Sequence, residues 1–284
     1  MPAPLIEPGR FHRVAVAVDD APAAHEWFRS LLGAGPWGGG QATDPFGRAP
    51  KADEADLAGT ETRSFALGGL PFILLSKGVP GGPVANFLQR YGPGVHSLAW
   101  EIDDLWSAQN LLIERGVRMG AVNVPGRHFF MHPKDTHGIL IEWTDVVVAD
   151  EARDGLDGAI SVSEVAWVSA AVADADRAAA FLAGLLGAQP VDGNAMGPPE
   201  RERTVDVAVG GVTIRLITPR SEESPYSSFL RTGPRLCTTA LRVPDLDAAH
   251  RALETAGVSV ARREPDLFET RSSDTFGIAL EWTR

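Results

Sequence analysis

The segment Gly138-Ile139-Leu140-Ile141-Glu142-Trp143-Thr144 returns near the end of the chain as Gly277-Ile278-Ala279-Leu280-Glu281-Trp282-Thr283. This echo constrains the fold more than any other feature. Leu31-Leu32-Gly33-Ala34 answers to Leu185-Leu186-Gly187-Ala188, Gly68-Gly69-Leu70 to Gly210-Gly211-Val212, and Phe87-Leu88 to Phe229-Leu230. Asp103-Asp104-Leu105 answers to Pro244-Asp245-Leu246. Order and offset are both kept, which chance similarity does not achieve, so the chain reads as a duplication. The expected halves are residues 1–148 and 161–284, with a polar, glycine-containing linker at 149–160.

Each half repeats again. Val14-Ala15-Val16-Ala17-Val18-Asp19-Asp20 reads as a strand and turn, and Ala24, Trp27, Phe28, Leu31 and Leu32 follow at helical spacing until Gly33 stops the helix. Leu98 to Asp104 with Leu105, Ala108, Leu111 and Leu112 does the same, as do the stretches beginning at Val168 and Leu241. Strand-like runs follow each helix, including Phe72 to Leu75 and Ile139 to Trp143. The expected fold is therefore α+β, four β-α-β-β-β modules. Alternation assigns the faces: Val14, Val16 and Val18 should cover the helix while Arg13, Ala15 and Ala17 point away. Leu98, Trp100 and Ile102 separate in the same way from Ser97, Ala99 and Glu101, and Ile141 and Trp143 from Leu140 and Glu142. Two modules curving together would turn the small and charged face into a cavity.

A strand ending in Asp, a helix closed by Leu-Gly and a terminal Gly-x-x-x-Glu strand, repeated in pairs, resemble the vicinal-oxygen-chelate (glyoxalase, bleomycin-resistance and ring-cleaving dioxygenase) superfamily. Gly82-Pro83-Val84-Ala85-Asn86-Phe87-Leu88, the stretch from Gly94 to Asp104, and His132-Pro133-Lys134-Asp135-Thr136-His137-Gly138 are similar to methylmalonyl-CoA epimerases in particular. The length and four-module plan are more similar to the two-domain extradiol dioxygenases. The resemblance implies curved mixed sheets around cavities, modules paired into two domains, and one divalent metal held at four slots of a paired-module domain. Those slots hold Arg13, Ile73, Ser97 and Glu142 in the first half and Trp167, Arg215, Thr238 and Glu281 in the second. Only the glutamates match. Non-haem iron takes two His and a carboxylate, and catalytic zinc takes three protein ligands, so neither half supplies a usual set.

The expectation is therefore a metal-independent acid–base enzyme, an isomerase, epimerase or lyase acting on an organic acid, acyl thioester or oxygenated ring compound. Glu142 would move the proton and Arg13 would hold a carboxylate or enolate oxygen, because a guanidinium can stand where a metal cation would. Ser97, Glu101, Ile73, His128 and Leu140 would contact substrate. Arg215 would pair with Glu281 in a second, degenerate cavity crowded by Trp167 and lined by Thr238. His12 and His96 sit one residue before slots, which puts them on the helix side or at an edge. The fallback, if iron, manganese, cobalt or zinc is found, is His12, His96 and Glu142 as ligands. A ligand-sequestering protein without chemistry, and a metal-dependent dioxygenase or glyoxalase-like enzyme, are the rival readings.

Composition sets the remaining bounds. Net charge is −11, which disfavours nucleic acid and anionic membranes as partners. One cysteine, Cys237, allows no intrachain disulfide and no cysteine-based zinc site; a buried thiol is expected. His25 and His250 fall on expected helices and should face solvent. No apolar run has the length of a membrane span, and a cytoplasmic protein is expected. The resemblance favours a homodimer. Gly33-Ala34-Gly35-Pro36-Trp37-Gly38 matches a dinucleotide-binding pattern literally, but it follows a helix and contains proline, so it is read as a loop. Residues 38–56 read as an inserted loop near the cavity.

Overall fold

A computed structural model of the chain describes residues 3–37, 60–78, 80–124, 128–145, 157–191 and 200–284. The expected loop at 38–56 and most of the linker lie outside them. The first module comprises β1 (Phe11–Ala17), α1 (Ala21–Leu32), β2 (Thr60–Leu67) and β3 (Leu70–Lys77), followed by α2 (Pro83–Tyr91). The second has β4 (Gly94–Glu101), α3 (Leu105–Glu114), β5 (Met119–Val124), β6 (His128–Met131) and β7 (Ile141–Thr144). The third has β8 (Glu164–Ala171), α4 (Ala175–Leu186), β9 (Gln189–Pro190), β10 (Glu202–Val209) and β11 (Val212–Pro219), then α5 (Ser227–Arg231). The fourth has β12 (Arg235–Arg242), α6 (Leu246–Thr255), β13 (Val260–Glu264), β14 (Leu267–Thr270) and β15 (Ala279–Thr283). Among the described residues no helix is long and apolar enough to cross a membrane.

The repeated aspartates explain the repeated helices. Asp20, Asp104, Asp174 and Asp245 are the N-caps of α1, α3, α4 and α6, and each carboxylate accepts from the backbone N–H three residues on, at 2.8–3.0 Å. Each cap satisfies a donor that the helix cannot, worth about 1 kcal/mol. Gly33 and Gly187 close α1 and α4 in the left-handed conformation, with φ of 67° and 66°, as residues without a Cβ can do cheaply.

Two mixed sheets form, in the orders β2-β3-β1-β4-β7-β6-β5 and β13-β14-β15-β12-β8-β11-β10-β9. Each sheet follows one half of the sequence. Compactness divides the chain differently. One unit contains residues 1–12, 97–147 and 167–237; the other contains 13–96, 148–166 and 238–284. Each unit thus takes one module from each half, and the boundary falls within β1, β4, β8 and β12.

In the unit of modules one and four, β1 and β3 run parallel with Val14 opposite Phe72 and Ala15 opposite Ile73. Helix α1 covers the face of Val14 and Phe72: the Phe28 ring stacks on Phe65 at 4.8 Å and Phe65 on Phe72 at 5.3 Å. The other face presents Ala15, Ala17, Ile73 and Leu75, and Val84, Phe87 and Leu88 of α2 settle on it. Small residues leave room for a helix to approach closely. Helix α2, with Pro83 in its first turn, is an element that periodicity over so short a stretch does not reveal. Within this unit the start of β8 reaches the first module, where Val165 N–H donates to the Gly68 carbonyl at 3.0 Å, and modules one and four meet where Phe276 lies against Trp27, ring centroids 6.3 Å apart.

The unit of modules two and three repeats these contacts. Phe11 N–H donates to the Gly210 carbonyl at 3.1 Å, and His137 meets Phe181 at 5.3 Å. His137 and Phe276 occupy equivalent turns and share a positive φ of 55° and 56°, uncommon for residues with bulky side chains. The residue after each is a glycine held against a proline: an added Cβ on Gly138 would lie 2.3 Å from the Pro234 carbonyl, and one on Gly277 2.4 Å from Pro93 Cβ. The N-terminal segment joins this unit through Leu5 and Ile6 N–H groups, which donate to Gly184 and Leu185 carbonyls at 2.8 and 3.0 Å.

Gly138→Ala should therefore destabilise the chain by about 2–4 kcal/mol, combining left-handed strain with overpacking. Gly116 has a φ of 78° and nothing within 4 Å of its added Cβ, so Gly116→Ala should show only the strain, about 1–2 kcal/mol. Urea unfolding of both variants checks this; equal losses would mean that the Pro234 contact does not constrain the fold.

Candidate functional site

The slot residues in the unit of modules two and three are buried on its strands. Leu98 pairs with Ile141 and Ala99 with Glu142 in the parallel β4–β7 register. Phe130 lies opposite Glu142 and His128 opposite Thr144 in the antiparallel β6–β7 register. Ser97, Ala99, Glu142, Phe130 and His128 therefore share a face, while Leu98, Ile141, Phe129 and Trp143 share the other. Ser97, His128 and Glu142 are all buried, and Leu140 is half-buried. Glu101, at the end of β4, accepts from Arg10 Nη2 at 2.9 Å. Its carboxylate is thus engaged by an exposed arginine.

The same unit contains Trp167 and Arg215 of the second slot set. Arg215 is answered by Asp206, directly across the β10–β11 ladder. Its Nε and Nη2 donate to Asp206 Oδ1 and Oδ2 at 2.9 and 2.7 Å. Both side chains are nearly inaccessible, at 2% and 3%. The guanidinium also lies 3.5 Å from the centroid of the Trp167 ring, close enough for cation–π attraction. Asp206, the residue directly opposite Arg215 on the antiparallel strand, is a partner that the sequence pattern did not name. Breaking one side of such a pair strands a buried charge and costs about 3–5 kcal/mol.

In the unit of modules one and four, Arg13 is buried on β1 and Ile73 on β3. Cross-strand partner Ala15–Ile73 puts Ile73 on the face of Arg13. His96 is buried as well, with its ring 5.0 Å from Phe87 in an edge-to-face arrangement. Phe87 packs on Ala15, Ala17 and Ile73. His96 therefore departs from the helix-side or edge expectation and faces the small-residue side under α2. Burial, and then the Arg13 charge, lower its pKa from 6.5 to about 4. His12 is buried on β1.

The fourth module carries Thr238 and Glu281. In the parallel β12–β15 register Thr238 lies opposite Ala279 and Ala240 opposite Glu281. Arg262 Nη2 stands 3.6 Å from Glu281. Sequence reasoning missed three residues beside the slots: Asp206, Arg262 and Glu269. Asp206 and Glu269 sit opposite slot residues on neighbouring strands, Arg262 sits opposite Glu269, and one sequence does not announce cross-strand register. His25 and His250 also differ from expectation. His25 is half-buried with its ring 5.9 Å from Phe65, and His250 lies 5.6 Å from Phe268. Burial and the nearby Arg63 lower the pKa of His25. Cys237 is buried as expected, among Ala171, Ile217, Tyr226 and Phe229.

The slots do not fit a divalent metal. Among the described residues no three His, Cys, Asp or Glu side chains gather to hold one. The donors present argue the same way. The Arg13 guanidinium, which disfavours a proton on His96, would oppose a dication on that ring still more, since Coulomb repulsion scales with charge. Arg215 already fills its slot with a cation.

His96 gives this local field a measurable consequence. Its folded pKa of about 4 lies below the ordinary 6.5, so the folded state favours the neutral ring. The associated stability is complete above pH 6.5 and is lost as pH falls toward about 4. The stability difference between the wild type and His96→Leu should be level above that window and shrink within it, in urea unfolding across pH. A difference that stays level throughout would contradict the buried, Arg13-facing ring.

The sequence and structure have relatives that agree with this geometry. Residues 168–272 match the model of the Glyoxalase/Bleomycin resistance protein/Dioxygenase superfamily. The first half of the chain is similar to the ethylmalonyl-CoA/methylmalonyl-CoA epimerase of Cereibacter sphaeroides, 34% identical over 145 residues, which covers 49% of this chain and 98% of that protein. The mitochondrial methylmalonyl-CoA epimerase of Homo sapiens is 29% identical over 140 residues, 47% of this chain and 72% of that protein. In fold, a mutant of 4-hydroxymandelate synthase from Streptomyces coelicolor aligns over 98% of this chain and 92% of its own, with a TM-score of 0.63 at 17% identity. From the full-length likeness to the bacterial epimerase, the repeated modules and the two mixed sheets, the chain belongs to the glyoxalase, bleomycin resistance protein and dioxygenase superfamily.

Proposed function

We propose that the chain is a metal-independent acid–base enzyme, an isomerase or epimerase that moves a proton next to the carbonyl of an organic acid or acyl thioester. The observation that supports this most is Arg13, a buried cation at a metal slot, with its field felt at a neutral His96. A fixed guanidinium supplies what such a reaction needs from an electrophile. When the C–H bond beside the carbonyl gives up its proton, the electron pair moves onto oxygen, and a positive group aimed there stabilises the enolate. The first-half relatives are named as epimerases of malonyl thioesters, and this favours an acyl thioester with an acidic C–H as the substrate class.

Two residues carry the proposed roles. Glu142, a buried carboxylate on β7 beside Ala99 and Phe130, takes and returns the proton. Arg13 holds the carboxylate or enolate oxygen. Ser97, on the Glu142 face, contacts substrate, and His128 is a second proton carrier on that same face. His96 is not an acid near neutral pH, because its ring is already neutral above about pH 4.

Methylmalonyl-CoA and ethylmalonyl-CoA incubated with the purified chain in heavy water test this reading. Deuterium should enter the carbon beside the carbonyl, and Glu142→Gln should slow that exchange by about 10²-fold or more while substrate binding persists. Full exchange by Glu142→Gln would remove Glu142 from the chemistry.

A further inference from the structure

A substrate oxygen cannot reach Arg13 in this conformation. Arg13 is 3% exposed, and His96, which feels its charge, is 8% exposed. Helix α2 covers their side of the sheet. Its Val84, Phe87 and Leu88 pack on Ala15, Ala17, Ile73 and Leu75, and Arg13 shares the face of Ala15, two residues on along β1. The Phe87 ring lies 5.0 Å from His96.

The helix is lightly held. Of its nine residues only Val84 is buried, and Phe87 and Leu88 are half-buried. Glycines stand on both sides of it. Gly81 has a φ of 82°, and Gly92 has a φ of 74° with a ψ of −175°, a region close to glycine-only. A Cβ added to either would meet nothing within 4 Å, so neither glycine is there to admit a neighbour. Each is a point where the backbone turns cheaply. A short helix with few buried apolar contacts, set between two such points, opens at low cost.

The duplicated cover in the third module shows the contrasting case. Phe229 of α5 packs on Ala171, Ile217 and Cys237, and Cys237 precedes Thr238 as His96 precedes Ser97. Side chains tie that cover down. Ser224 Oγ donates to Glu202 at 2.9 Å, Ser227 Oγ to the Ser221 carbonyl at 2.8 Å, and Arg235 Nη1 to the Phe229 carbonyl at 2.7 Å. Ser224 and Tyr226, at its start, are buried. The slot of that module is already filled by Arg215, paired with Asp206 and stacked on Trp167. The filled slot has the fastened cover, and the Arg13 slot has the lightly held one.

We propose that α2 is the gate of the Arg13 site and that Phe87 is the side chain that closes it. The helix lifts about Gly81 and Gly92, admits the anionic acyl group of a thioester, and returns with Phe87 against the alkyl branch of that group. This inference rests on the role given to Arg13 above. Arg13 supplies the charge that holds an anion, and Ala15, Ala17 and Ile73 supply the apolar wall. Closure shuts out water, which strengthens the pull of the guanidinium on developing negative charge.

Native-state amide hydrogen exchange of the full chain, with and without methylmalonyl-CoA, tests the gate. In the ligand-free protein the Asn86 and Gly92 amides, hydrogen-bonded at 2.8 and 2.9 Å, should exchange about 10²-fold faster than the amides of β3, each corrected for its intrinsic rate. Saturating methylmalonyl-CoA should slow both about tenfold or more and leave the Leu230 amide of α5 unchanged. Phe87→Ala should speed both about tenfold further while β3 stays slow, which separates a loosened gate from an unfolded chain. The proposal is overturned if Asn86 and Gly92 exchange as slowly as β3, if methylmalonyl-CoA protects neither, or if it protects Leu230 to the same extent. Protection of α2 without deuterium entering the thioester would strike the chemistry assigned to Glu142 and leave the gate standing.

Discussion

A guanidinium withdrawn wholly or partly from water demands an answering charge, and the settings of Arg215, Arg262 and Arg13 organise this protein. Arg215 is answered within the fold. Asp206 faces it across a β-ladder and holds it with two hydrogen bonds, and Trp167 covers its plane. That arrangement consumes the slot it occupies. Arg262 is divided among Glu264, Glu269 and Glu281, with one short contact and two long ones. Arg13 is buried on β1, and its charge joins burial in keeping the His96 ring neutral. Three positions in one repeated scaffold thus carry the same group in three electrostatic settings. The proposed chemistry follows the setting rather than the residue type.

Duplication supplies the scaffold and then releases its parts to diverge. The caps at Asp20, Asp104, Asp174 and Asp245 are the same device used four times. The left-handed turns at His137 and Phe276, each followed by a glycine against a proline, are another used twice. These features specify helix starts and module contacts, so change there costs stability. The cross-strand partners of the terminal glutamates carry no such burden. Phe130 beside Glu142 and Glu269 beside Glu281 show one position filled by an aromatic ring in one module and by a carboxylate in another.

Much of this was legible in the sequence because it depends on local order. Period-two alternation and glycine helix stops located the first strand and the first helix of each of the four modules. The small residues Ala15 and Ala17 correctly marked the face away from α1. Long-range register was not legible. Nothing near Arg215 in the sequence names Asp206, and nothing near Glu281 names Arg262 or Glu269; the pairings exist only after strands align. Helix α2 has nine residues, too few for periodicity to stand out. It also supplies Phe87, whose ring lies against His96. The grouping of modules one with four and two with three likewise arises from contacts between segments far apart in the chain.

The central claim is that a buried arginine stands in for a metal at the first slot set. Elemental analysis of the purified chain, as isolated and after incubation with iron, manganese, cobalt and zinc followed by desalting, tests it most directly. The account predicts far less than one equivalent of any of these metals per chain, with proton exchange on acyl thioesters unaffected by a chelator. Close to one equivalent per chain, with exchange lost on chelation and regained on adding the metal, would contradict it and return the superfamily's metal chemistry to this site.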